Sequence, residues 1–205
     1  MSVRQLFGMP VGQLAKHIKS WNFFDAAIGL AAINSVINTP ERIKQLSGIA
    51  ASDHKQISVF DYFADMIKGK NVAVIGHFPG LEKLAESCQL SILDRLPKAG
   101  DYPDPACEYI LPTQDFVFIT ASTLVNKTLP RLLELSRNAF TVLWGPSTPM
   151  TPVLFNYGID MLYGTVVVAQ QSTRQSVEEG GTRSTFEQVS AYKVSLETNK
   201  RVKIF

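Results

Sequence analysis

The sequence predicts an α/β protein whose mostly parallel β-sheet is covered by helices on both faces. Short segments that are apolar at nearly every position and rich in β-branched residues recur along the chain: "NVAVIG" (71–76), "QLSILD" (89–94), "DFVFIT" (115–120), "FTVLWG" (140–145) and "TVVVA" (165–169). Parallel strands that are buried on both faces have this composition. Helical stretches separate these segments, at 80–87, 124–138 and 150–157, and Pro130 within the second implies either a late helix start or a kink. Strands that alternate with helices at this spacing form βαβ units and a doubly wound sheet.

The composition argues against several classes of protein. The 205 residues carry a formal net charge of only +2, and their Lys and Arg are scattered, which argues against a nucleic-acid partner. No stretch reaches the ~18 apolar residues that a membrane span needs. The cysteines, Cys88 and Cys107, match no metal-binding spacing and suit a reducing compartment. We therefore expect a cytoplasmic protein with no membrane and no nucleic-acid partner.

The first part of the chain predicts a buried helix followed by a linker. Residues 20–38 are apolar on nearly every side of a helix, with Ser20 as the N-cap, which is typical of a helix inside a core. Gly29 and its small neighbours make this helix narrow enough for another backbone to approach closely. Residues 41–55 are polar and irregular, which favours a linker, and 56–68 favours a helix or a strand–turn–helix unit.

The segment after Gln170 departs from the repeating pattern. The stretch "SVEEGGTRSTFEQ" (176–188) predicts a mobile loop or hairpin connection that turns at Gly180. Two edge strands are expected beyond it, at 191–197 and 201–205.

Ligand-binding residues are expected where the strands end, because an open α/β sheet binds ligands outside its carboxyl edge. In the turn "GHFPG" (76–80), Phe78 replaces the second glycine of the dinucleotide fingerprint, which argues against NAD binding. Gly76 still permits a tight turn, and Pro79 suits the first position of a helix. His77 would serve there as a metal ligand, a proton shuttle or a hydrogen-bond donor. Alternatively, it caps a helix or pairs with a carboxylate.

Small polar side chains also follow the third predicted strand. The hydroxyls of Thr120, Ser122 and Thr123 either cap the next helix or contact a ligand. Asn126 is either a ligand contact or a partner of its own backbone, and Lys127 either reaches an anionic ligand or is a solvated lysine.

The turn "WGPSTPMTP" (144–152) is stiffened by three prolines and carries Ser147 and Thr148 as donors. A rigid turn of small polar residues at a strand end is typical of the wall of a binding site.

The acidic loop 94–115 contains groups of the kind that metals bind. Asp101, Asp104 and Glu108 supply oxygen atoms there, but their spacing matches no ligand motif, so a solvated acidic loop is the alternative. Asp94 lies 18 residues after Gly76 and ends the second predicted strand. A carboxylate at this place holds a ribose hydroxyl in nucleotide-binding sheets.

Four segments resemble a family of domains named for heavy-metal chelation: "KSWNFFDAAIGLAAINSVIN", "VIGHFPGLEKL", "EYILPTQDFVFITASTLVNKTLPRLLELSRNA" and "LWGPSTPMTPVLFNYGIDMLYGTVV". The resemblance covers about residues 15–170 and is most specific from "TLVNKTLPRLLELSRNA" to "GPSTPMTPVLF". It implies a small domain like the N-terminal domain of enolase, a Rossmann-like C-terminal domain and a ligand-binding cleft between them. Heavy-metal handling is the role that it implies.

The resemblance also implies a division of the chain. Family members carry several dozen more residues ahead of the "KSWN" helix, so we expect a partial, truncated enolase-like α+β segment with its linker at 1–55. A Rossmann-like domain is then expected at 56–170 and a C-terminal tail, with an edge hairpin, at 171–205. An incomplete small domain leaves an apolar helix face uncovered, so we expect a homo-oligomer.

The sequence leaves three functions open. The first is the binding of a small anionic ligand or a heavy-metal or divalent ion at the carboxyl ends of the strands. The second is an enzyme that uses a nucleotide-like cofactor, such as S-adenosylmethionine, and the third is a non-catalytic subunit. The expected ligand-binding residues are Gly76, His77, Phe78, Pro79, Gly80, Asp94, Thr120, Ser122, Thr123, Asn126, Lys127, Gly145, Pro146, Ser147 and Thr148. The expected metal contacts are His77, Asp101 and Glu108.

Overall fold

A mostly parallel β-sheet forms the centre of the protein. The computed structural model describes residues 6–54, 56–181 and 191–198. The strands are β1 Asn71–Ile75, β2 Gln89–Asp94, β3 Tyr102–Pro103, β4 Phe116–Thr120, β5 Phe140–Trp144, β6 Met161–Val167 and β7 Ala191–Glu197. They lie in the order β3-β2-β1-β4-β5-β6-β7. Neighbouring strands pair in parallel, except that β7 runs antiparallel to β6. The predicted α/β fold with a mostly parallel sheet is confirmed.

Helices cover both faces of this sheet. They are α1 Val11–Ala15, α2 Phe23–Ile37, α3 Pro40–Ser47, α4 Val59–Phe63, α5 Leu81–Ala85, α6 Cys107–Ile110, α7 Leu129–Leu135 and α8 Gln170–Glu178. Successive residues of β1 point to opposite faces. Val72 and Val74 pack with α4 and α5, whereas Ala73 and Ile75 pack with α3, α6 and α7. Each fully buried valine stabilises the fold by roughly 1.5 kcal/mol or more.

Helix α2 differs from its predicted form at its start and in its burial. It begins at Phe23 rather than at Ser20, because the side chain of Asn22 accepts hydrogen bonds from the backbone N–H groups of Phe24 and Asp25. The hydroxyl of Ser20 instead accepts from the N–H of Asn22. The prediction of burial on all sides was wrong, since Phe24 is 86% exposed. The helix packs along one side only.

The predicted close approach at Gly29 is confirmed. A Cβ atom at this position would lie 2.0 Å from the backbone nitrogen of Ile18. Only glycine allows the 3₁₀-helix of residues 16–19 to lie against α2 at this distance.

The predicted linker at 41–55 was wrong, because this segment is largely helical. Helix α3 begins at Pro40, and Thr39 caps it by accepting from the N–H of Arg42. A 3₁₀-helix follows at Ala51–Asp53. Each element buries one apolar residue in the core, Ile43 and Ala51. A single apolar residue per element is too weak a pattern to see in the sequence.

Several predicted boundaries move for identifiable reasons. Helix α7 begins at Leu129 rather than at 124, which is the late start that Pro130 implied as one of two alternatives, since Pro130 occupies the first turn, where a missing N–H costs nothing. Helix α5 begins after Gly80, which has a φ of +89°, so Pro79 precedes the helix rather than opening it. Strand β6 begins at Met161 rather than at 165, because Met161 pairs with Val142 of β5.

Two further helical predictions changed. The stretch predicted as a helix at 150–157 is a 3₁₀-helix at Pro152–Tyr157. The stretch 56–68 contains helix α4, as one of its two alternatives predicted.

The C-terminal segment is more regular than predicted. Helix α8 reaches Glu178 and so includes the first residues of the expected loop, although the turn at Gly180 is present, with a φ of +76°. The predicted edge strand at 191–197 is confirmed as β7. The loop residues 182–190 and the second predicted edge strand at 201–205 lie outside the described residues. Within the described residues, no helix combines the length and the apolar character that crossing a bilayer requires.

Candidate functional site

A cavity lies at the point where the strand order reverses, between β1 and β4. Strands β2 and β3 extend the sheet on one side of this point, and β5 to β7 extend it on the other. Crevices at such points bind ligands in open α/β sheets. The cavity measures about 280 Å³, and we call it the switch-point cavity. Eight of the predicted ligand-binding residues line it: Gly76, His77, Phe78, Asp94, Thr120, Ser122, Thr123 and Asn126.

His77 is oriented by a buried carboxylate. Its Nδ1 lies 2.8 Å from Oδ2 of Asp101, whose side chain is 2% exposed, while the His77 side chain is 20% exposed. The same Oδ2 accepts the N–H of Lys98 at 2.9 Å, which fixes the carboxylate in place. An ionised carboxylate only accepts hydrogen bonds, so Nδ1 is the donor in this pair. The predicted alternative in which His77 pairs with a carboxylate is confirmed, and Nε2 is the nitrogen left for a ligand.

Asp94 shapes the turn that carries His77. Its Oδ2 accepts the N–H of His77 at 2.8 Å, and its Oδ1 accepts the N–H of Leu96 at 2.8 Å. Both oxygens of the carboxylate therefore bind backbone groups of the neighbouring loops. This holds the ends of β1 and β2 together at the edge of the cavity.

Phe78 depends on the glycine two residues before it. Gly76 has a φ of +105°, and a Cβ at this position would lie 2.6 Å from the Phe78 ring. The ring also packs against Trp144, with 4.3 Å between the ring centroids. Phe78 thus forms the wall between the switch-point cavity and a second cavity beside Trp144.

The hydroxyls after β4 do not cap a helix, so that part of the prediction was wrong. Oγ1 of Thr120 and Oγ of Ser122 lie 3.1 Å apart, and Thr123 donates to the carbonyl of Thr120. The 3₁₀-helix that begins at Ala121 has no side-chain cap. Asn126 accepts from the N–H and the hydroxyl of Thr128, as its local alternative predicted.

Three predicted residues contact the N-terminal helices. Nζ of Lys127 donates a hydrogen bond to the carbonyl of Ile18, and Lys127 itself has a φ of +69°. The side-chain amide of Asn34 donates to the carbonyl of Ser147 at 2.8 Å, and that of Asn38 donates to the carbonyl of Thr148 at 2.8 Å. The stiff turn after β5 therefore holds α2 against the sheet.

The other predicted residues border different spaces. Pro79 and Gly145 line a cavity of about 220 Å³ whose walls are Phe60, Phe78, Trp144 and Tyr163. Pro146 and Ser147 line a groove of about 840 Å³ along α2, which we call the α2 groove. Gly80 is exposed at the start of α5, and Thr148 is fully buried.

Arg95 is a site residue that the sequence did not single out. It borders the switch-point cavity, and its guanidinium lies 5.7 Å from the centre of the Phe23 ring. Among the described residues, no carboxylate forms an ion pair with it. Its place directly after Asp94, at the end of a strand, was the signal that could have identified it.

Two of the three predicted metal contacts have other partners. Glu108 forms two hydrogen bonds with the Arg131 guanidinium, at 2.9 and 2.6 Å, and these hold the pKa of its carboxyl below the usual range. Asp101 binds His77. Over residues 6–54, 56–181 and 191–198, no group of three His, Cys, Asp or Glu side chains could hold a metal ion.

The two cysteines do not line the switch-point cavity. Burial, with a smaller contribution from Asp104, raises the pKa of the Cys107 thiol to about 12. Burial also raises the pKa of Cys88, whose Sγ donates to the carbonyl of Leu84. The two thiols belong to the cores on opposite faces of the sheet. The described donor groups therefore do not fit a heavy-metal ion bound by the protein alone.

Solved structures share this fold. A DUF364-family protein of unknown function from Desulfitobacterium hafniense is 41% identical, with a TM-score of 0.84, and the match covers 95% of this chain and 78% of that one. A DUF364-family protein from Pyrococcus horikoshii is 23% identical, with a TM-score of 0.76 and coverages of 94% and 77%. At this identity, the second likeness shows the fold alone.

Sequence relatives agree with the structural likeness. An uncharacterized protein of Methanocaldococcus jannaschii is 28% identical over 158 residues, which are 73% of this chain and 57% of that protein. The chain thus spans little more than half the length of this curated relative.

Family models match both parts of the chain. One, DUF4213, matches residues 1–37, and another, DUF364, matches residues 58–196. Both carry the description "Putative heavy-metal chelation". Because the second model matches well over half of the chain, this protein belongs to the DUF364 family.

Proposed function

We propose that the chain binds a small anionic ligand in the switch-point cavity, with Nε2 of His77 as its principal contact. The observation that carries this proposal is the 2.8 Å hydrogen bond between Nδ1 of His77 and the buried carboxylate of Asp101. A buried carboxylate that fixes one imidazole nitrogen orients the other toward a ligand, as it does in metal and acid–base sites.

The charges around the cavity favour a ligand that carries more than one kind of group. Arg95 has no carboxylate partner among the described residues, and it lines the same cavity as Thr120 and Ser122. These groups are donors for an anion. Asp104 borders the cavity as well, and it favours a positively charged part of the ligand. Of the predicted metal contacts we retain His77, because Asp101 is bound to His77 itself and Glu108 is bound to Arg131.

A thermal-shift and calorimetry series with inorganic phosphate and citrate tests the proposal. Each anion should raise the melting temperature of the protein, because a ligand that binds only the folded state stabilises it. His77→Gln should abolish the citrate shift and Asp101→Asn should weaken it, whereas His17→Gln, which removes an imidazole away from the cavity lining, should not change it. Equal shifts in the His77 and His17 variants would show that the anions bind elsewhere.

A nucleotide-like cofactor in the α2 groove is the second candidate. The groove has a volume of about 840 Å³, which is in the range of cofactor sites, and the buried Oδ1 of Asn34 at its wall has no partner among the described residues. Ala31→Trp should fill the groove and abolish thermal stabilisation by ATP or S-adenosylmethionine, whereas His77→Gln should leave that stabilisation intact. A shift that needs His77 would instead place these ligands in the switch-point cavity.

Assembly, domain division and location stay proposals. Exposed Phe7, Trp21 and Phe24 near the N-terminus support a homo-oligomer, or a non-catalytic subunit that binds another chain there. The solution mass by light scattering, compared between wild type and Trp21→Ser, tests the oligomer, since a monomeric mass for both would exclude it.

We retain the division of the chain into 1–55 (enolase-like), 56–170 (Rossmann-like) and 171–205 (tail). The two free cysteines support a cytoplasmic location.

A further inference from the structure

We infer that the switch-point cavity takes a heavy-metal ion only as a complex with a small anionic chelator, whose metal binds Nε2 of His77. This inference rests on the proposed function and names the class of its ligand. It follows from a comparison of the donor groups that the protein offers with those that a heavy-metal ion requires.

One histidine borders the cavity as a candidate metal ligand. The whole sequence contains three histidines. His54 is buried, with Nδ1 accepting the N–H of Ser195 and Nε2 bonded to the Ser47 hydroxyl. His17 does not line the cavity. Of the three histidines, His77 is the one that borders this cavity.

The thiols and carboxylates do not complete a coordination sphere. Burial raises the pKa of both cysteine thiols, and the two belong to cores on opposite faces of the sheet. No three His, Cys, Asp or Glu side chains converge anywhere in the described part of the chain. Protein-bound zinc takes at least three such ligands even in open catalytic sites. Most of the positions on a metal at His77 must therefore be filled by atoms that the ligand brings.

The cavity suits such a ligand in size and in charge. Its volume of about 280 Å³ greatly exceeds the space of a single ion with one or two waters. Arg95 on its wall attracts the anionic groups of a chelator, while Asp104 attracts the cationic centre. A site for a bare cation would not be expected to carry an arginine that has no carboxylate partner among the described residues.

Calorimetry on the tag-free protein distinguishes binding of the bare metal ion from binding of its complex with a chelator. The probes are Ni²⁺ alone, nitrilotriacetate alone and the preformed Ni²⁺–nitrilotriacetate complex, in which the chelator leaves coordination positions open. The complex should bind about tenfold or more tightly than either component. His77→Gln should weaken binding of the complex by a similar factor. Asp101→Asn should weaken it by about tenfold, because Asp101 orients the imidazole of His77. His17→Gln should leave the affinity for the complex unchanged. Circular dichroism confirms that each variant is folded.

Each outcome decides the matter. Ni²⁺ alone binding as tightly as the complex would overturn the inference, as would binding of the complex that survives His77→Gln. If citrate binds through His77 and the complex does not, the inference fails while the proposed function stands. If neither citrate nor the complex binds, both fail. Stronger binding of the complex that requires His77 supports the inference.

Discussion

The side chain of Asn38 is joined by two hydrogen bonds to the backbone on either side of Pro149. Its carbonyl oxygen accepts the N–H of Met150 at 2.9 Å, and its NH₂ group donates to the carbonyl of Thr148 at 2.8 Å. Thr148 and Met150 are fully buried, so water cannot replace these bonds. The end of α2 is thereby tied to the turn after β5, which also borders the α2 groove.

Asn38→Ala should destabilise the protein by about 2 kcal/mol, because it leaves a buried N–H and a buried carbonyl unpaired. Urea unfolding followed by circular dichroism measures this loss. Asn156→Ala, which removes an exposed amide, is the matched control and should change the free energy of unfolding little. A loss no greater than that of the control would mean that the two bonds are dispensable.

Gly29→Ala should destabilise the packing of the N-terminal segment by about 1–3 kcal/mol. The added Cβ would lie 2.0 Å from the backbone nitrogen of Ile18 and 2.7 Å from the carbonyl carbon of His17. The control is Gly12→Ala in α1, where a Cβ meets no atom within 4 Å. That change should raise stability slightly, since alanine favours a helix over glycine by roughly 0.5–1 kcal/mol. Thermal unfolding of the two variants should therefore shift in opposite directions, and a parallel shift would contradict the packing at Gly29.

Because of His54, the free energy of unfolding should decrease as the pH falls below the pKa of an ordinary histidine. Burial lowers the pKa of His54, an effect that the charge of Asp53 partly offsets. The folded state therefore binds a proton less readily than the unfolded state, whose histidine pKa is about 6.5. The stabilisation from neutral His54 is complete above that pH and is lost as the pH falls through the lower folded pKa.

Urea unfolding between about pH 7.5 and 5.5 measures this effect. His54→Gln should reduce the pH dependence of the free energy of unfolding, whereas His17→Gln should preserve it. An unchanged pH profile in the His54 variant would assign the proton uptake to another group.

The Cys107 thiol should resist alkylation by iodoacetamide in the folded protein at about pH 8, since its pKa is raised to about 12 and thiolate is the reactive form. Peptide mass spectrometry follows modification of each cysteine, and the urea-unfolded chain is the control in which both should react. Rapid reaction of folded Cys107 would restore a thiolate as a candidate metal ligand.

The composition of the strands made the fold predictable. Segments such as 71–75 and 116–120 are apolar throughout because both faces of a parallel sheet are buried, and that pattern is local in the sequence. The glycine at position 76 and the polar residues after β4 could be placed at the carboxyl edge for the same reason.

Elements with few buried residues were harder to predict. Helix α3 has Ile43 as its one buried residue, so its sequence resembles a polar linker. The N-cap of α2 is Asn22 rather than Ser20, because both residue types can cap a helix and the Ser20 hydroxyl accepts from the N–H of Asn22 instead.

Within the candidate site, sequence alone determined which residues reach the carboxyl edge of the sheet, because strand ends follow from the apolar pattern. The tertiary structure decided what each of them does there. His77 and Asp101 are 24 residues apart in the chain and come within hydrogen-bond distance in the fold, while Lys127 turns away to Ile18, 109 residues distant. Partners at such separations depend on how the loops pack on the finished sheet, and local patterns of sequence carry no information about that packing.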